Sequence, residues 1–251
     1  MIALALGLLI SGPAAPAPDA AKTFQEAVEA YRAEDWTSAR SLWLQVLNDP
    51  ASGLDPTVVL FDLGNTAWRE GDMLAAAAWY TACIRLEPRH RDAWTNLEYV
   101  RAEAGLEPAD RGDLSSTLRR LLGALTRDEA EWLVVLCTAL LAGALTLEAL
   151  RGGALLRRVS IGATALLVVG SIPWLWSLRG APEHPVFVVA GDGAALHSQP
   201  SGEAALVGRL APGSEAARVD ALPEWVRVEG PAGARGWVRE GDVLPIAPPY
   251  E

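Results

Sequence analysis

The feature that most constrains this chain is a pair of apolar runs, residues 131–150 and 159–178, that follow each other closely in the sequence. Each run has about 20 residues, which as a helix would cross a hydrocarbon core of about 30 Å. Few charged residues interrupt either run, although a buried helix hairpin of a soluble protein is the alternative. The pattern therefore predicts a two-helix transmembrane hairpin over residues 128–180.

Charged and aromatic residues at the ends of the runs predict an orientation. Arginines in the short connector favour the cytoplasmic side, and they are Arg151, Arg157 and Arg158. Trp132 begins the first run, whereas Trp174 and Trp176 end the second. In an antiparallel hairpin these ends share one leaflet and form part of an aromatic belt. The connector is thus predicted to face the cytoplasm, and the two outer ends of the hairpin are predicted to lie on the opposite side of the membrane.

The N-terminal segment, residues 1–21, is apolar at first and then rich in alanine and proline. This is typical of a secretory signal, although a disordered tail has a similar composition. An exported N-terminus and the hairpin together predict the order outside, inside, outside, with extracytoplasmic domains before and after the hairpin.

Leucines share one helical face of residues 114–127, which predicts an amphipathic juxtamembrane helix.

Residues 22–105 contain an internal repeat, because Ala30–Asp35 corresponds to Ala67–Asp72. The spacing is close to the period of about 34 residues found in helix–turn–helix repeats. Gly71 permits a tight turn between two helices, and Gly64 lets two helices approach closely. The pattern resembles the tetratricopeptide repeat, and it predicts an all-α repeat domain.

Stacked repeats of this kind present a concave groove. The resemblance implies that the first helix of each unit lines this groove, and that an asparagine such as Asn65 holds the backbone of a bound peptide. A single helix from Asp92 to about Glu103 is predicted to cap the stack. The candidate groove residues are Tyr31, Phe61, Asn65, Trp68, Arg69, Thr95 and Tyr99. The alternative is that the aromatic residues among them pack in the core and that the polar ones are exposed to solvent without a binding role.

Residues 185–246 alternate short apolar segments with Gly and Pro turns, which predicts a small closed all-β barrel. The strand candidates are Val186–Val189, Val207–Leu210, Trp225–Val228 and Gly236–Val238. Their order resembles the bacterial SH3 domain, a fold that binds cell-wall peptides or proteins, or serves as a spacer. His197, Trp225 and Trp237 are candidates for a ligand surface, although both tryptophans also suit the core.

Composition and motifs argue against catalysis and against nucleic acid as a partner. The net charge is −10, whereas phosphate binding needs a basic face. The histidines, among them His90 and His184, are dispersed and lack metal-ligand spacing. Cys83 and Cys137 have no CxxC partner, and we expect buried free thiols. The sequence therefore predicts no enzyme, cofactor or metal, although catalytic groups can converge from distant positions.

The order of the parts carries a further resemblance. A signal-like segment, repeats, paired membrane helices and an SH3-like domain resemble the BatE-like members of the Bat (Bacteroides aerotolerance) group over nearly the whole chain. The resemblance implies a multidomain adaptor in the bacterial inner (cytoplasmic) membrane. It also implies von Willebrand factor A-type membrane proteins and a MoxR-type ATPase as partners, in envelope-stress or aerotolerance functions. The alternative is an envelope sensor whose SH3-like domain binds peptidoglycan.

Overall fold

The computed structural model describes residues 18–109, 114, 117, 121–178 and 184–248. Its N-terminal part is helical. Neighbouring helices in this part pack against each other across short connections. The helices are α1 (Pro18–Arg32), α2 (Trp36–Leu47), α3 (Pro56–Glu70), α4 (Met73–Leu86) and α5 (Arg91–Glu103).

Local sequence signals explain where these helices begin and turn. Asp72 caps α4, since its carboxylate accepts a hydrogen bond from the backbone N–H of Ala75 at 2.9 Å. Gly71, just before this cap, has a φ of 84°, a left-handed conformation that glycine adopts without a steric penalty. In the corresponding turn between α1 and α2, Glu34 has a φ of 62°. The two turns therefore share a backbone shape, and a glycine is present in only one of them.

Close packing of α3 on α4 forms the centre of the helical core. Leu60, Leu63 and Tyr80 are almost completely buried there. A Cβ atom placed on Gly64 would lie 2.5 Å from Cε1 of Tyr80, so the tyrosine ring occupies the space that a larger residue would fill. Gly64 thus fixes the distance between the two helices, as the repeat pattern predicts.

A helix hairpin follows, formed by α6 (Arg127–Arg151) and α7 (Ala154–Gly170), with the short helix α8 (Ile172–Ser177) after it. The segments Arg127–Arg151 and Ala154–Trp176 are long and apolar enough to span a membrane. Their apolar side chains are mostly exposed, unlike those of a core helix in a soluble protein. The second segment begins inside the predicted connector, and it is interrupted at Ser171, two residues before Pro173.

Small residues let α6 and α7 approach each other. The buried positions of α6 are Ala130, Cys137 and Ala144, each one heptad after the last. Cys137 faces α7, since a Cβ on Gly170 would lie 3.1 Å from its Sγ. Such a seam is typical of helices that pack within a membrane.

Two predicted segments lie largely outside the described residues. Helix α1 begins at Pro18, so the last residues of the signal-like segment 1–21 belong to it, and residues 1–17 lie outside the description. Most of the predicted amphipathic helix over residues 114–127 also lies outside the description, whereas Thr126 caps α6 together with Glu129.

The C-terminal part is an open antiparallel sheet of seven strands in the order β3-β2-β6-β5-β4-β1-β7. A multidomain chain that joins helices to an antiparallel sheet is thereby confirmed. The strands are β1 (Pro185–Val188), β2 (Ala194–His197), β3 (Leu206–Leu210), β4 (Glu215–Leu222), β5 (Trp225–Glu229), β6 (Arg235–Arg239) and β7 (Val243–Pro245).

The sheet differs from the closed barrel that the sequence predicts. Its two ends are β3 and β7, and within the described residues no backbone pairing joins them. The short strand β7 pairs with β1 alone, and Leu206 and Val207 of β3 are exposed at the other edge. The eight-residue strand β4, which the sequence analysis did not predict, pairs with both β5 and β1.

The sheet packs directly on the helical part. Phe187 of β1 and Ile246 after β7 are each 1% exposed, and both belong to the apolar cluster of the helices. Arg85 near the end of α4 forms an ion pair with Glu215 of β4 at 3.0 Å. Leu106 lies over Gly213 so closely that a Cβ there would overlap its side chain. Phe187 and Ile246 therefore join the sheet to the helical core, and the sheet also has an apolar core of its own.

Candidate partner-binding face

The side chains of α3 that point away from the core form the centre of the candidate site. Leu60, Leu63 and Ala67 are buried on one side of this helix, whereas Phe61 and Asn65 lie on the other and stay partly accessible. The helical period of 3.6 residues accounts for this division. We call this exposed side of α3, with the parts of α1 and α5 beside it, the binding face.

Phe61 joins α3 to the start of α5. Its ring is stacked on the imidazole of His90, with the ring centres 5.0 Å apart, and it also touches the ring of Tyr80. His90 is held in place because its Nδ1 accepts the backbone N–H of Ala93 at 3.1 Å, which caps α5. The candidate Phe61 is therefore a half-buried contact between two helices.

The two aromatic candidates nearer the other end of the binding face meet each other. Trp68 of α3 and Tyr99 of α5 are in edge-to-face contact, with ring centres 6.1 Å apart. The guanidinium of Arg69 lies 4.9 Å from the centre of the Trp68 ring, a distance suited to a cation–π contact. Tyr99 is 51% exposed, so this group of three presents aromatic and cationic surface to solvent.

Asn65 lies at the centre of a polar network between the two aromatic groups. Its Oδ1 accepts the hydroxyl of Tyr80 at 2.8 Å and the amide of Asn96 at 3.3 Å. Burial is the main cause that raises the pKa of Tyr80 to about 12, so its hydroxyl stays protonated and donates. The side-chain carbonyl of Asn65 is thus engaged within the protein, and its amide N–H donates to the carboxylate of Asp62.

Tyr31 and Thr95 are less closely connected to the other candidates. Tyr31 packs against Trp36 at 5.1 Å between ring centres. The hydroxyl of Thr95 donates to the backbone oxygen of Arg91, and the residue is exposed. The structure therefore brings together Phe61, Asn65, Trp68, Arg69 and Tyr99, and leaves these two at the margin.

The sequence analysis missed three residues of the binding face: Asp62, His90 and Asn96. Asp62 and Asn65 are spaced i, i+3 on α3, a spacing that a helical projection places on one side. Asn96 follows Thr95, and its role depends on a contact with α3 that the sequence does not show. A helical projection could thus have found Asp62, whereas the other two required the tertiary structure.

The candidates on the sheet also converge. The His197 and Trp225 rings are in edge-to-face contact at 5.2 Å, and His197 lies opposite Trp237 where β2 pairs with β6. The guanidinium of Arg239 lies 5.5 Å from the centre of the Trp225 ring. Trp225 is 8% exposed, so it is a packing residue more than a contact surface, and Trp237 is more accessible.

A cleft of about 790 Å³ lies between the helices and the sheet. The turn from α3 to α4, the segment after α5, and the loops that follow β1 and β3 line it. Within the described ranges, no three His, Cys, Asp or Glu side chains are grouped so that they could hold a metal ion.

No protein-family model matches the chain, and comparisons with curated proteins and with solved structures found no match either.

Proposed function

We propose that this protein is a membrane-anchored adaptor that binds a protein partner on the face formed by α1, α3 and α5. The observation that supports this most is the group made by Trp68, Arg69 and Tyr99. Two helices supply these side chains, and they combine aromatic, cationic and exposed surface, a combination enriched at protein interfaces. In this proposal the chain carries out no covalent chemistry of its own.

The helical part is interpreted as two tetratricopeptide-like units and a capping helix. The pairs α1–α2 and α3–α4 supply the units, and α5 supplies the cap. Gly64 under the Tyr80 ring and the left-handed turn at Gly71 support this interpretation. In the same way, the sheet is interpreted as an SH3-like module, supported by its short antiparallel strands and their tight turns.

Helices α6 and α7 are proposed to anchor the chain in the bacterial inner membrane. Both termini of a spanning hairpin emerge on the same side, and the contact between Arg85 and Glu215 supports placing the repeats and the sheet on one side of the membrane. The arginine-rich connector supports the cytoplasmic location of the turn, with both domains extracytoplasmic. A membrane-impermeant maleimide should label a cysteine at Ser201 in intact cells, and should not label one at Arg157 until the membrane is opened.

The order of these parts resembles the BatE-like group, and this supports a more specific version of the proposal. The partners would be von Willebrand factor A-type membrane proteins that work with a MoxR-type ATPase in envelope stress or aerotolerance. Capture from detergent-solubilised membranes should then recover such proteins. Their absence from the captured material would remove this version while leaving a general adaptor function open.

Photocrosslinking in native membranes tests the adaptor function itself. A photoreactive residue at Trp68 or at Tyr99 should yield a crosslinked protein partner, since both side chains lie on the exposed surface of the face. The matched control is Ser41, which is exposed on α2. Crosslinking from Ser41 alone, or from none of the three, would refute the proposed use of this face.

A second candidate function is a cell-wall-binding sensor. The observation that favours it is the surface formed by His197, Trp237 and Arg239, in which aromatic and basic groups meet on two neighbouring strands, β2 and β6. The full chain in lipid nanodiscs should pellet with cell-wall sacculi, and Trp237→Ala should reduce the bound fraction. Equal pelleting of both proteins would show that this surface does not bind peptidoglycan.

A further inference from the structure

Asp62 is a half-buried acid on the binding face, and neither the aromatic contacts nor the helix core explains it. It shares one side of α3 with Asn65 and Arg69, at positions i, i+3 and i+7. The opposite side of the helix carries the core residues Leu60 and Leu63. The carboxylate therefore belongs to the surface that the proposed partner would cover.

The carboxylate of Asp62 has no cationic partner among the residues that the structure describes. None of the ion pairs formed there includes it. Its hydrogen-bonding neighbour is Asn65. An ionised carboxylate can accept from about four directions. Most of its acceptor capacity is thus open toward the binding face.

The rigidity of Asn65 keeps this carboxylate available. Tyr80 and Asn96 both donate to Oδ1 of Asn65, so the orientation of the amide is fixed by two contacts. The amide N–H side then faces Asp62. The network thus directs one donor, the amide of Asn65, at a carboxylate that forms no ion pair with the described residues.

Solvation also favours a cation at this position. Burial raises the pKa of Asp62, and the hydrogen bond from Asn65 offsets part of the increase. The ionised group is therefore poorly stabilised by water, and a bound cation would restore the lost stabilisation. The nearest cation on the same side of α3, Arg69, lies over the Trp68 ring and forms no ion pair with Asp62.

The surroundings favour a guanidinium over a compact ammonium. Phe61 and Trp68 supply aromatic rings on the same face, and a planar guanidinium can stack on a ring while it donates two hydrogen bonds to a carboxylate. We propose that Asp62 binds a basic side chain of the partner polypeptide, preferably an arginine. This inference depends on the proposed adaptor function, because it names the chemistry that the binding face recognises.

A synthetic probe tests the inference without a known partner. The probe is a fluorescein-labelled peptide of alternating arginine and alanine residues, and its control carries citrulline, a neutral isostere, in place of arginine. The full chain is placed in nanodiscs of phosphatidylcholine, which carries no net charge, and fluorescence anisotropy measures the affinity. We expect the arginine peptide to bind at least about tenfold more tightly than the citrulline peptide.

Substitutions separate a specific contact from general attraction to an acidic chain. Asp62→Asn should weaken binding of the arginine peptide about tenfold and leave the citrulline peptide unaffected. Glu29→Gln removes the same charge from an exposed position of α1 and should leave both affinities unchanged. Asp62→Glu should retain the preference for arginine. Because Asp62→Asn removes a poorly solvated charge, its thermal midpoint should equal or exceed that of the parent protein, which excludes misfolding as the cause.

Three results would overturn the inference: equal affinity for the two peptides, equal losses from Asp62→Asn and Glu29→Gln, or no binding of the arginine peptide at millimolar concentration. The photocrosslinking at Trp68 and Tyr99 remains a separate measurement. If Asp62→Asn leaves that crosslink intact, the adaptor function stands and the role of Asp62 fails. If the parent protein gives no crosslink, the adaptor function itself fails.

Discussion

Substitution of Gly64 by alanine tests how the repeat core is built. The added Cβ would lie 2.5 Å from Cε1, 2.6 Å from Cδ1 and 3.0 Å from Cζ of Tyr80. The ring cannot move away easily, because Tyr80 is 1% exposed and its hydroxyl donates to Asn65. The substitution must therefore separate α3 from α4 or displace the ring.

The expected cost follows from two opposing effects. Overpacking against a buried ring costs up to about 3 kcal/mol. Alanine favours a helix over glycine by about 1 kcal/mol. The net loss should be about 2 kcal/mol, which increases the population of opened repeat domain about 30-fold.

The thiol of Cys83 can report this opening. The side chain is completely buried on α4, and burial raises the pKa of Cys83 to about 12, so the closed state resists alkylation. In a Cys137→Ala background Cys83 is the remaining cysteine. Labelling of the full chain in nanodiscs should be about 30-fold faster for Gly64→Ala when reclosing outpaces labelling.

Two further variants make the result specific. Gly162→Ala adds the same methyl group where no atom lies within 4 Å, and it should leave the rate unchanged. In a Tyr80→Leu background, the cost of Gly64→Ala should fall, since the overlapping ring is absent. An unchanged labelling rate for Gly64→Ala itself would refute the reasoning, because it would show that the ring does not fill this space.

The same labelling assay, or the loss of helical circular dichroism on heating, checks three other predictions. Glu34→Gly should stabilise the repeat domain by about 1 kcal/mol, because it relieves a left-handed φ of 62°; a loss of stability would contradict this. Asp72→Ala should cost about 1 kcal/mol through loss of the α4 cap, whereas Asp72→Asn should cost less. Hydrogen bonds from Ser38 hold the pKa of Asp35 below its ordinary value of 3.8. The stability that ionised Asp35 contributes is therefore complete above pH 3.8 and is lost as the pH falls through the lowered pKa of the folded protein. Asp35→Asn should remove this pH dependence.

The sequence predicted those features that depend on local chemistry. The glycine at position 71 indicated a tight turn between two helices, and such a turn is present with a left-handed φ of 84° at Gly71. Thr126 and Glu129 have the spacing of a capping box, and both capping hydrogen bonds are present. The apolar runs indicated two long helices, and these are found with shifted bounds. Each of these signals lies within a few residues of the structure it determines.

The sequence did not predict features that depend on contacts between distant segments. Strand β4 is only partly apolar, so its own residues give no clear strand pattern. It forms because it pairs with β1 and β5. The polar network around Asn65 requires Asn96, which comes from another helix. The turn at Glu34 also lacks the glycine that would signal it. Backbone hydrogen bonds from Glu34 to Tyr31 and from Asp35 to Ala30 close this turn, in which Glu34 has a left-handed φ.

The packing of Phe187 and Ile246 on the helical core has a consequence for the order of events during synthesis. Arg85 and Glu215 are separated by 130 residues, and the hairpin lies between them. At about 10 residues per second, the ribosome needs roughly 13 s to make the segment between them. During this interval the α4 surface that will contact Phe187 and Ile246 has no sheet to cover it. We therefore expect a nascent chain that stops before β1 to need a chaperone, and completion of the last strand to release it.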